Sequence, residues 1–385
     1  MDWGAWTMLQ HLGEEEHLAG AVTPPIVQTS LFVMPDFETF KQRMSGQFDP
    51  ENEHVYSRIS NPNLAQVEIK VATLEGMDRA RLFSSGMGAI SAAIMSCTQA
   101  GAHVVADETV YGPTQEFLRD YLPRFGVTST FVDTRDIAAV KAAWQPETTL
   151  LYLESPGSIL FRLQDLTALS AFAHEKGAMV AMDNSYSAGL IQQPSRFGVD
   201  IVVHSATKYL CGHSDVVAGA LACNEEHYAK LMVGEVALIG ATLAPFNAWL
   251  MLRGMRTLGL RMAQAEKVGN AMAAFLRQHP RVTAVNHVDD QHPQADLWRK
   301  QMTGSGGLLS FEIQDPTEDR MHAFADTLEL FQLGVSWGGF ESLCVPIHLK
   351  LPSWTEPQWV IRLYCGLEDP ADLIQDVERG LAAAY

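Results

Sequence analysis

Between residues 183 and 215 the chain reads Asp183-Asn184-Ser185, then Ser205-Ala206-Thr207-Lys208-Tyr209, then Gly212-His213-Ser214-Asp215. The acid closes one apolar run, Ala178-Met179-Val180-Ala181-Met182, and the lysine follows a second, Ile201-Val202-Val203-His204. A carboxylate and an amine at the mouths of neighbouring strands, with hydroxyls beside the amine, match the needs of pyridoxal phosphate. The lysine forms a Schiff base with the aldehyde, the acid keeps the pyridinium nitrogen protonated, and hydroxyls bind the phosphate. A lysine that ends an apolar run is on its own an ordinary snorkelling side chain. The combination carries the chemistry.

Other segments gain meaning beside that lysine. Ser84-Ser85-Gly86-Met87-Gly88 joins a predicted strand to a predicted helix. Glycine admits close approach there, and the free N–H groups of the helix start favour an anion, so the turn reads as a phosphate cup. Tyr111, in Tyr111-Gly112-Pro113-Thr114, is an aromatic at a strand end, the default reading of which is half-buried packing; a pyridoxal ring would need something flat to stack on it. Arg362 interrupts the strand pattern Trp359-Val360-Ile361-Arg362-Leu363-Tyr364 and needs a carboxylate, internal or from a substrate. His213 and Asp215 lack third and fourth partners at metal-ligand spacing, so no metal is expected, and His204 reads as a hydrogen-bonded core residue.

The elements that must position these groups follow from the apolar pattern. From about residue 64 to 230, short apolar runs alternate with helical stretches, the signature of a parallel α/β sheet. The runs are 80–83, 103–106, 128–132, 150–153, 178–182, 201–204 and 219–222, with helices expected over 87–98, 114–125, 137–144 and 166–175. Ligands of such sheets bind outside the carboxyl ends of the strands, which is where the candidate residues fall. After Pro245 a long helical stretch over 246–277 precedes short strands and a terminal helix, a smaller α+β lobe, while the first fifty or so residues read as an irregular arm. The expected division is an arm over 1–58, an α/β domain over 59–244 and a C-terminal domain over 245–385.

The 385 residues carry 27 Lys+Arg against 45 Asp+Glu, a formal charge of -18, which disfavours nucleic acid and anionic membranes as partners. Five scattered cysteines without C-x-x-C spacing argue against a disulfide scaffold or zinc site and for a reducing compartment. No apolar run approaches bilayer-spanning length, and Met1-Asp2-Trp3-Gly4-Ala5-Trp6 has no signal-peptide character. A cytoplasmic protein is expected.

Together these residues resemble the cysteine/methionine-metabolism family of fold-type I pyridoxal phosphate enzymes, which includes cystathionine β- and γ-lyases, methionine γ-lyase, cystathionine γ-synthase and O-acylhomoserine sulfhydrylases. The likeness spans nearly the whole chain. It includes Tyr56-Ser57-Arg58-Ile59-Ser60-Asn61-Pro62, Ser85-Gly86-Met87, Tyr111-Gly112, Glu154-Ser155-Pro156, Asp183-Asn184 and Ser205-Ala206-Thr207-Lys208-Tyr209. It continues through Pro245-Phe246-Asn247-Ala248-Trp249-Leu250, Leu252-Arg253-Gly254, Ser336-Trp337-Gly338-Gly339-Phe340-Glu341-Ser342-Leu343 and Ile361-Arg362-Leu363.

The resemblance implies an aspartate-aminotransferase-like α/β fold with a mostly parallel sheet in the large domain. It makes Lys208 the Schiff-base lysine and general acid/base, Asp183 the partner of the pyridine nitrogen and Tyr111 the ring's stacking partner. Ser85, Gly86, Met87, Ser205 and Thr207 would bind the cofactor, mainly at its phosphate. Arg362, helped by Ser342 and Asn184, would bind the substrate α-carboxylate, with Trp337 beside the substrate side chain. Tyr56 and Arg58 would reach the cofactor of a neighbouring subunit, within a homotetramer of two catalytic dimers acting on a small amino acid.

Within the family, Trp337 and Glu154-Ser155-Pro156-Gly157-Ser158 look like bacterial cystathionine β-lyase. Ile59 replaces the second basic residue of some β-lyases, and Tyr56-Ser57-Arg58 and Tyr111-Gly112 look like the γ-enzymes, although methionine γ-lyases tend to carry cysteine where Pro113 stands. The expected activity is carbon–sulfur cleavage in a sulfur-containing L-amino acid (cystathionine, cysteine or a cysteine conjugate) by α,β-elimination. The alternatives are a γ-lyase and a γ-replacement transferase on an activated homoserine. A non-catalytic pyridoxal-binding protein is disfavoured because the lysine, acid, tyrosine and arginine positions are all filled.

Overall fold

The computed structural model describes residues 3–15, 17–46, 49–50 and 52–385; Met1, Asp2, Glu16, Gln47, Phe48 and Glu51 of the expected arm lie outside the described residues. Every apolar run expected between 79 and 223 forms a strand: β1 (Arg79–Phe83), β2 (His103–Asp107), β3 (Thr128–Val132), β4 (Thr148–Glu154), β5 (Met179–Asp183), β6 (Ile201–His204) and β7 (Gly219–Cys223). They make a sheet in the order β1-β7-β6-β5-β4-β2-β3. Apart from the edge strand β3, its strands are largely buried on both faces, and successive residues feed opposite cores. Val104, Ala106, Leu150, Tyr152, Ala181, Ile201 and Val203 pack with Ile90 and Ile94 of the helix Gly86–Ser96. Val105, Leu151, Leu153, Val180, Met182 and Val202 pack with Leu166 and Leu169 of the helix Leu166–Glu175. This explains why these strands read as continuous apolar runs. Each fully buried aliphatic side chain contributes about 1.5–3 kcal/mol.

The sheet is mostly parallel, as expected, except that β7 runs antiparallel to both β6 and β1. A parallel return needs a crossover of a dozen or more residues, usually a helix that packs back on the sheet. The 205–218 segment instead stays at the strand ends, folded around Lys208, so the chain re-enters in the opposite direction. As a result the carboxyl ends of β1, β2, β4, β5 and β6 and the start of β7 share one edge.

A second sheet follows, built from β8 (Val282–Asn286), β9 (Leu308–Ile313), β10 (Gln332–Leu333), β11 (Leu343–Leu349) and β12 (Gln358–Tyr364) in the order β10-β11-β12-β9-β8. It is antiparallel apart from the β10–β11 pair, and Arg362 on β12 stands opposite Val345 and Ser310. Among the described residues no helix is long and apolar enough to cross a membrane.

Three helical expectations change. The 246–277 stretch is two helices, Pro245–Met255 and Leu258–Gln278. At the break Arg261 Nη2 donates to the Gly254 carbonyl at 2.8 Å, while Nη1 reaches the Tyr209 carbonyl at 2.8 Å. Over 114–125 the chain passes from α-helix (Gly112–Glu116) through a π turn (Phe117–Tyr121) to a 3-10 turn (Leu122–Phe125), where Pro123 removes a donor. The arm is not wholly irregular. Helices form over Ala5–His11, which buries Met8 and Leu9, and over Phe37–Met44, capped by Asp36 accepting from the Thr39 N–H. Lys70, fully buried, holds the arm by an ion pair to Glu14 at 3.1 Å and a bond to the Leu9 carbonyl at 3.0 Å.

Gly254 lets the first of the paired helices lie against the lysine loop, since a Cβ there would stand 2.2 Å from the Cys211 carbonyl oxygen. Gly254→Ala is expected to destabilise the protein by about 1–3 kcal/mol. A lowered thermal midpoint checks this, and an unchanged midpoint would refute the contact's importance.

Candidate active site

Lys208 follows β6 on a turn closed by Lys208 N–H to the Ser205 carbonyl at 3.0 Å and Gly212 N–H to the Lys208 carbonyl at 2.8 Å. Thr207 laces that turn to the start of β7, accepting from the Ala218 N–H at 3.0 Å and donating its N–H to the Ala218 carbonyl at 3.1 Å. The Lys208 Nζ donates to Ser336 Oγ at 2.8 Å and lies 5.4 Å from the centre of the Trp337 ring. Burial, with Arg362 adding to it and Asp183 opposing, lowers the amine from 10.5 to about 8.

Asp183 ends β5 in register with Glu154 at the end of β4 and with Val203 in β6. Burial raises its pKa, opposed by bonds from Ser185 and by the charges of His204 and Lys208. Glu154 is pushed up to about 8, first by burial and then by the charge of Asp183. It accepts from the Tyr111 N–H at 2.7 Å and the Ser158 N–H at 3.0 Å. The Tyr111 phenol is raised by burial and by these two acids, which keeps it protonated. Arg362, 9% exposed, donates to the Val335 carbonyl at 3.1 Å, and among the described residues no carboxylate stands within ion-pairing distance of it. The internal partner considered from sequence is not there.

The turn read from sequence as a phosphate cup lies at the start of the helix Gly86–Ser96. Ser85 caps it by accepting from the Gly88 N–H at 3.0 Å, leaving the first N–H groups of the helix for a ligand. A Cβ on Gly86 would meet Ser205 at 2.9 Å, so only glycine lets the helix start approach the lysine loop. Ser85, Gly86, Met87, Tyr111, Asp183, Ser205, Thr207, Lys208, Trp337 and Arg362 line one cavity. An amine lowered in pKa, a carboxylate that a cationic ring nitrogen would stabilise, a helix start with hydroxyls and an unpaired arginine fit pyridoxal phosphate and an amino-acid carboxylate.

Four expected residues lie elsewhere. Asn184 points to the opposite side of its strand from Asp183, and its amide donates to Glu75 at 2.9 Å and to the Gln192 carbonyl at 3.1 Å. Ser342 is fully buried; its hydroxyl donates to Glu368 at 2.9 Å and accepts from the Gly366 N–H at 2.9 Å. Both side chains make their hydrogen bonds inside the fold and neither lines the cavity, while the Asn184 Oδ1 is buried without a partner. Tyr56 and Arg58 do not line their own chain's cavity. Tyr56 is 44% exposed, and Arg58 donates to the Ala237 carbonyl and lies 5.6 Å from the Tyr56 ring. His204, as expected, is a bonded core residue, 2.7 Å from Glu75.

Residues given no role from sequence also line the cavity, among them Glu154, Ser158, Ser185, Tyr186, Val217 and Val335, and Ser336 holds the lysine. An acid at the end of β4 was visible in the pattern. Ser336 opens one of the segments that carry the resemblance but was given no role there, and nothing local marked Val335; both arrive from a loop far along the chain.

The lowered amine sets a pH dependence. The neutral amine is the nucleophile, so the rate at which apoprotein condenses with pyridoxal phosphate should rise with pH through about 8 and level off above it. Borohydride trapping followed by peptide mass mapping would measure this. Label on another lysine, or a midpoint at the ordinary 10.5, would refute the assignment.

Comparison with known proteins agrees with this arrangement. Residues 6–382 match the family model described as Cys/Met metabolism PLP-dependent enzyme. The chain is 40% identical over 390 residues to L-methionine gamma-lyase of Porphyromonas gingivalis, covering 98% of this chain and 97% of that one. It is 37% identical over 379 residues to cystathionine gamma-lyase of Bacillus subtilis, covering 96% of each. The structure of cystathionine gamma-lyase from Lactobacillus plantarum complexed with L-serine superposes with a TM-score of 0.88 at 34% identity, covering 99% of both chains. With the lysine, the acid, the tyrosine and the helix start converging on one cavity, and with the match running almost end to end, the chain belongs to the Cys/Met-metabolism family of pyridoxal-phosphate-dependent enzymes.

Proposed function

We propose that this enzyme is a carbon–sulfur lyase for sulfur-containing L-amino acids whose sulfur substituent is short and uncharged, with α,β-elimination from cysteine-type substrates as its simplest reaction. The charge inventory of the cavity carries the substrate class. Lys208 and Arg362 are the cations that this chain places in the lining, taken by the chemistry and the α-carboxylate, and the Arg58 that a neighbouring copy would contribute is assigned to the cofactor. A distal carboxylate, as in cystathionine, finds no cation there and forgoes a charged hydrogen bond worth about 1.5–3 kcal/mol. Around the remaining space stand Met87, Ile90, Val217, Val335 and Trp337, which suit a thioether or thiol.

Bound pyridoxal phosphate would supply an electron sink conjugated to the substrate Cα. Arg362 orients the substrate by its carboxylate. Asp183 would hold the proton at the ring nitrogen, and the Lys208 amine is placed to remove the Cα proton. Ser336 steadies that amine. The Tyr111 phenol, kept protonated by burial and neighbouring acids, can protonate the departing sulfur.

A second reading, α,γ-elimination of a methionine-type substrate, is supported by the similarity to enzymes named L-methionine gamma-lyase and cystathionine gamma-lyase. It uses the same groups with one more proton removed, at Cβ, so a site competent for it is competent for β-elimination too. Trp337, a broad wall beside Lys208, supports the β reaction. Incubating the holoenzyme with cysteine, cystathionine, methionine, and O-acetylhomoserine plus cysteine decides the matter. Pyruvate from cysteine-type substrates is expected, 2-oxobutanoate from methionine marks the γ reaction, and a homoserine-derived thioether as sole product would overturn the lyase reading.

Tyr56 and Arg58 are proposed to serve the active site of a neighbouring copy, in a homotetramer of catalytic dimers. Their exposed position away from their own Lys208 supports this. The five cysteines are free thiols, four of them buried, as suits a cytoplasmic enzyme. Mixed oligomers of Lys208→Ala and Arg58→Ala chains should recover activity that neither variant has alone, because one interface then holds two intact contributions. No recovery in verified hybrids would place Arg58 within its own chain's site.

A further inference from the structure

We propose that Glu154 is a positioning residue of this site, seating Tyr111 by holding its backbone N–H and tying it to the loop that follows β4. The inference rests on the pyridoxal-dependent reading above. Glu154 ends β4 beside Asp183, is 6% exposed and lines the cavity. One carboxylate oxygen accepts from the Tyr111 N–H at 2.7 Å and the other from the Ser158 N–H at 3.0 Å. A single side chain thus joins two walls of the cavity.

The residue type matters. A carboxyl group presents an oxygen at each end that can accept from an N–H, whereas glutamine presents one oxygen and one NH2 donor, which would face an N–H with an N–H. Keeping an acid here carries a cost, since burial first and the charge of Asp183 second push the carboxyl up to about 8. Packing alone would be served by a neutral side chain.

The rest of the Tyr111 turn leaves its N–H to Glu154. The Tyr111 carbonyl accepts from Thr114 and Gln115 at 2.9 and 3.1 Å, within the turn. Glu108, three residues earlier, is held by Arg162 at 2.9 Å and by the Ser353 N–H at 3.0 Å, which anchors the start of the turn. Without Glu154 the turn keeps its shape and loses the bond that aims the tyrosine ring into the cavity.

A double-mutant cycle on the holoenzyme tests this with Glu154→Gln, Tyr111→Ala and the pair. The readouts are the dissociation constant of pyridoxal phosphate, the circular dichroism of its visible band, kcat and the thermal midpoint. Glu154→Gln should weaken cofactor binding roughly tenfold and diminish the visible dichroism while the protein stays folded. In the Tyr111→Ala background the same change should cost less than about threefold, because its effect passes through the tyrosine. Equal losses in both backgrounds, or unchanged cofactor binding in Glu154→Gln, would overturn the proposal. If Glu154→Gln fails to fold, Glu154→Asp, which keeps the charge and shortens the reach, enters the same cycle. Wild-type protein that binds no pyridoxal phosphate would instead overturn the reading on which the proposal rests.

Discussion

Withdrawing two acids, a lysine and an arginine from water into one cavity is the constraint on which the rest of this structure depends. Burial lowers the basicity of Lys208 and Arg362 and raises the pKa of Asp183 and Glu154. Buried charges are costly unless paired and hydrogen-bonded. Here each is only partly compensated: Asp183 by Ser185, Glu154 by two backbone N–H groups, Lys208 by a hydroxyl and Arg362 by a carbonyl. A ligand bringing a cationic ring nitrogen, a phosphate and a carboxylate would supply the missing complements. The cavity is therefore built around charges it does not itself neutralise, and that gives the site its affinity for such a ligand.

Holding those charges in place needs two parts of the chain to meet closely. Gly338 lets the 335–341 loop rest on the lysine turn, where a Cβ would come 2.8 Å from the Lys208 backbone. Ser214 donates to Glu341 at 2.7 Å across the same contact. Arg261 reaches from its helix to the Tyr209 carbonyl, tying the other side of the turn. The cavity residues Val335, Trp337 and Arg362 on one side and Lys208 on the other are thus held by one set of contacts, and a displacement of either loop moves both walls of the cavity.

Much of this was legible beforehand because parallel strands covered on both faces must be apolar throughout, so their ends are conspicuous. Asp183, Lys208, Tyr111 and the Ser85-Gly86-Met87 turn each sit where such a run stops. What local pattern does not show is the commitment of side chains to distant partners. Asn184 directly follows Asp183, yet its amide reaches Glu75. The Ser342 hydroxyl donates to Glu368 and accepts from the Gly366 N–H. The long helix over 246–277 looked continuous because nothing in its periodicity reveals that Arg261 takes the Gly254 carbonyl.

The sequence by itself determined the strands, their order of appearance, the chemistry of the lysine and its acid, and the family. Those features depend on local pattern and on residue identity, which do not wait for the fold. Tertiary structure decided that β7 returns antiparallel, that Ser336 and Val335 join the lysine, that Arg362 lacks an internal carboxylate, and that Glu154 bridges Tyr111 to Ser158. Each of these turns on which groups are left unpaired once all the others have found partners. Hydrogen bonding and desolvation settle that globally, among residues separated by tens to hundreds of positions along the chain.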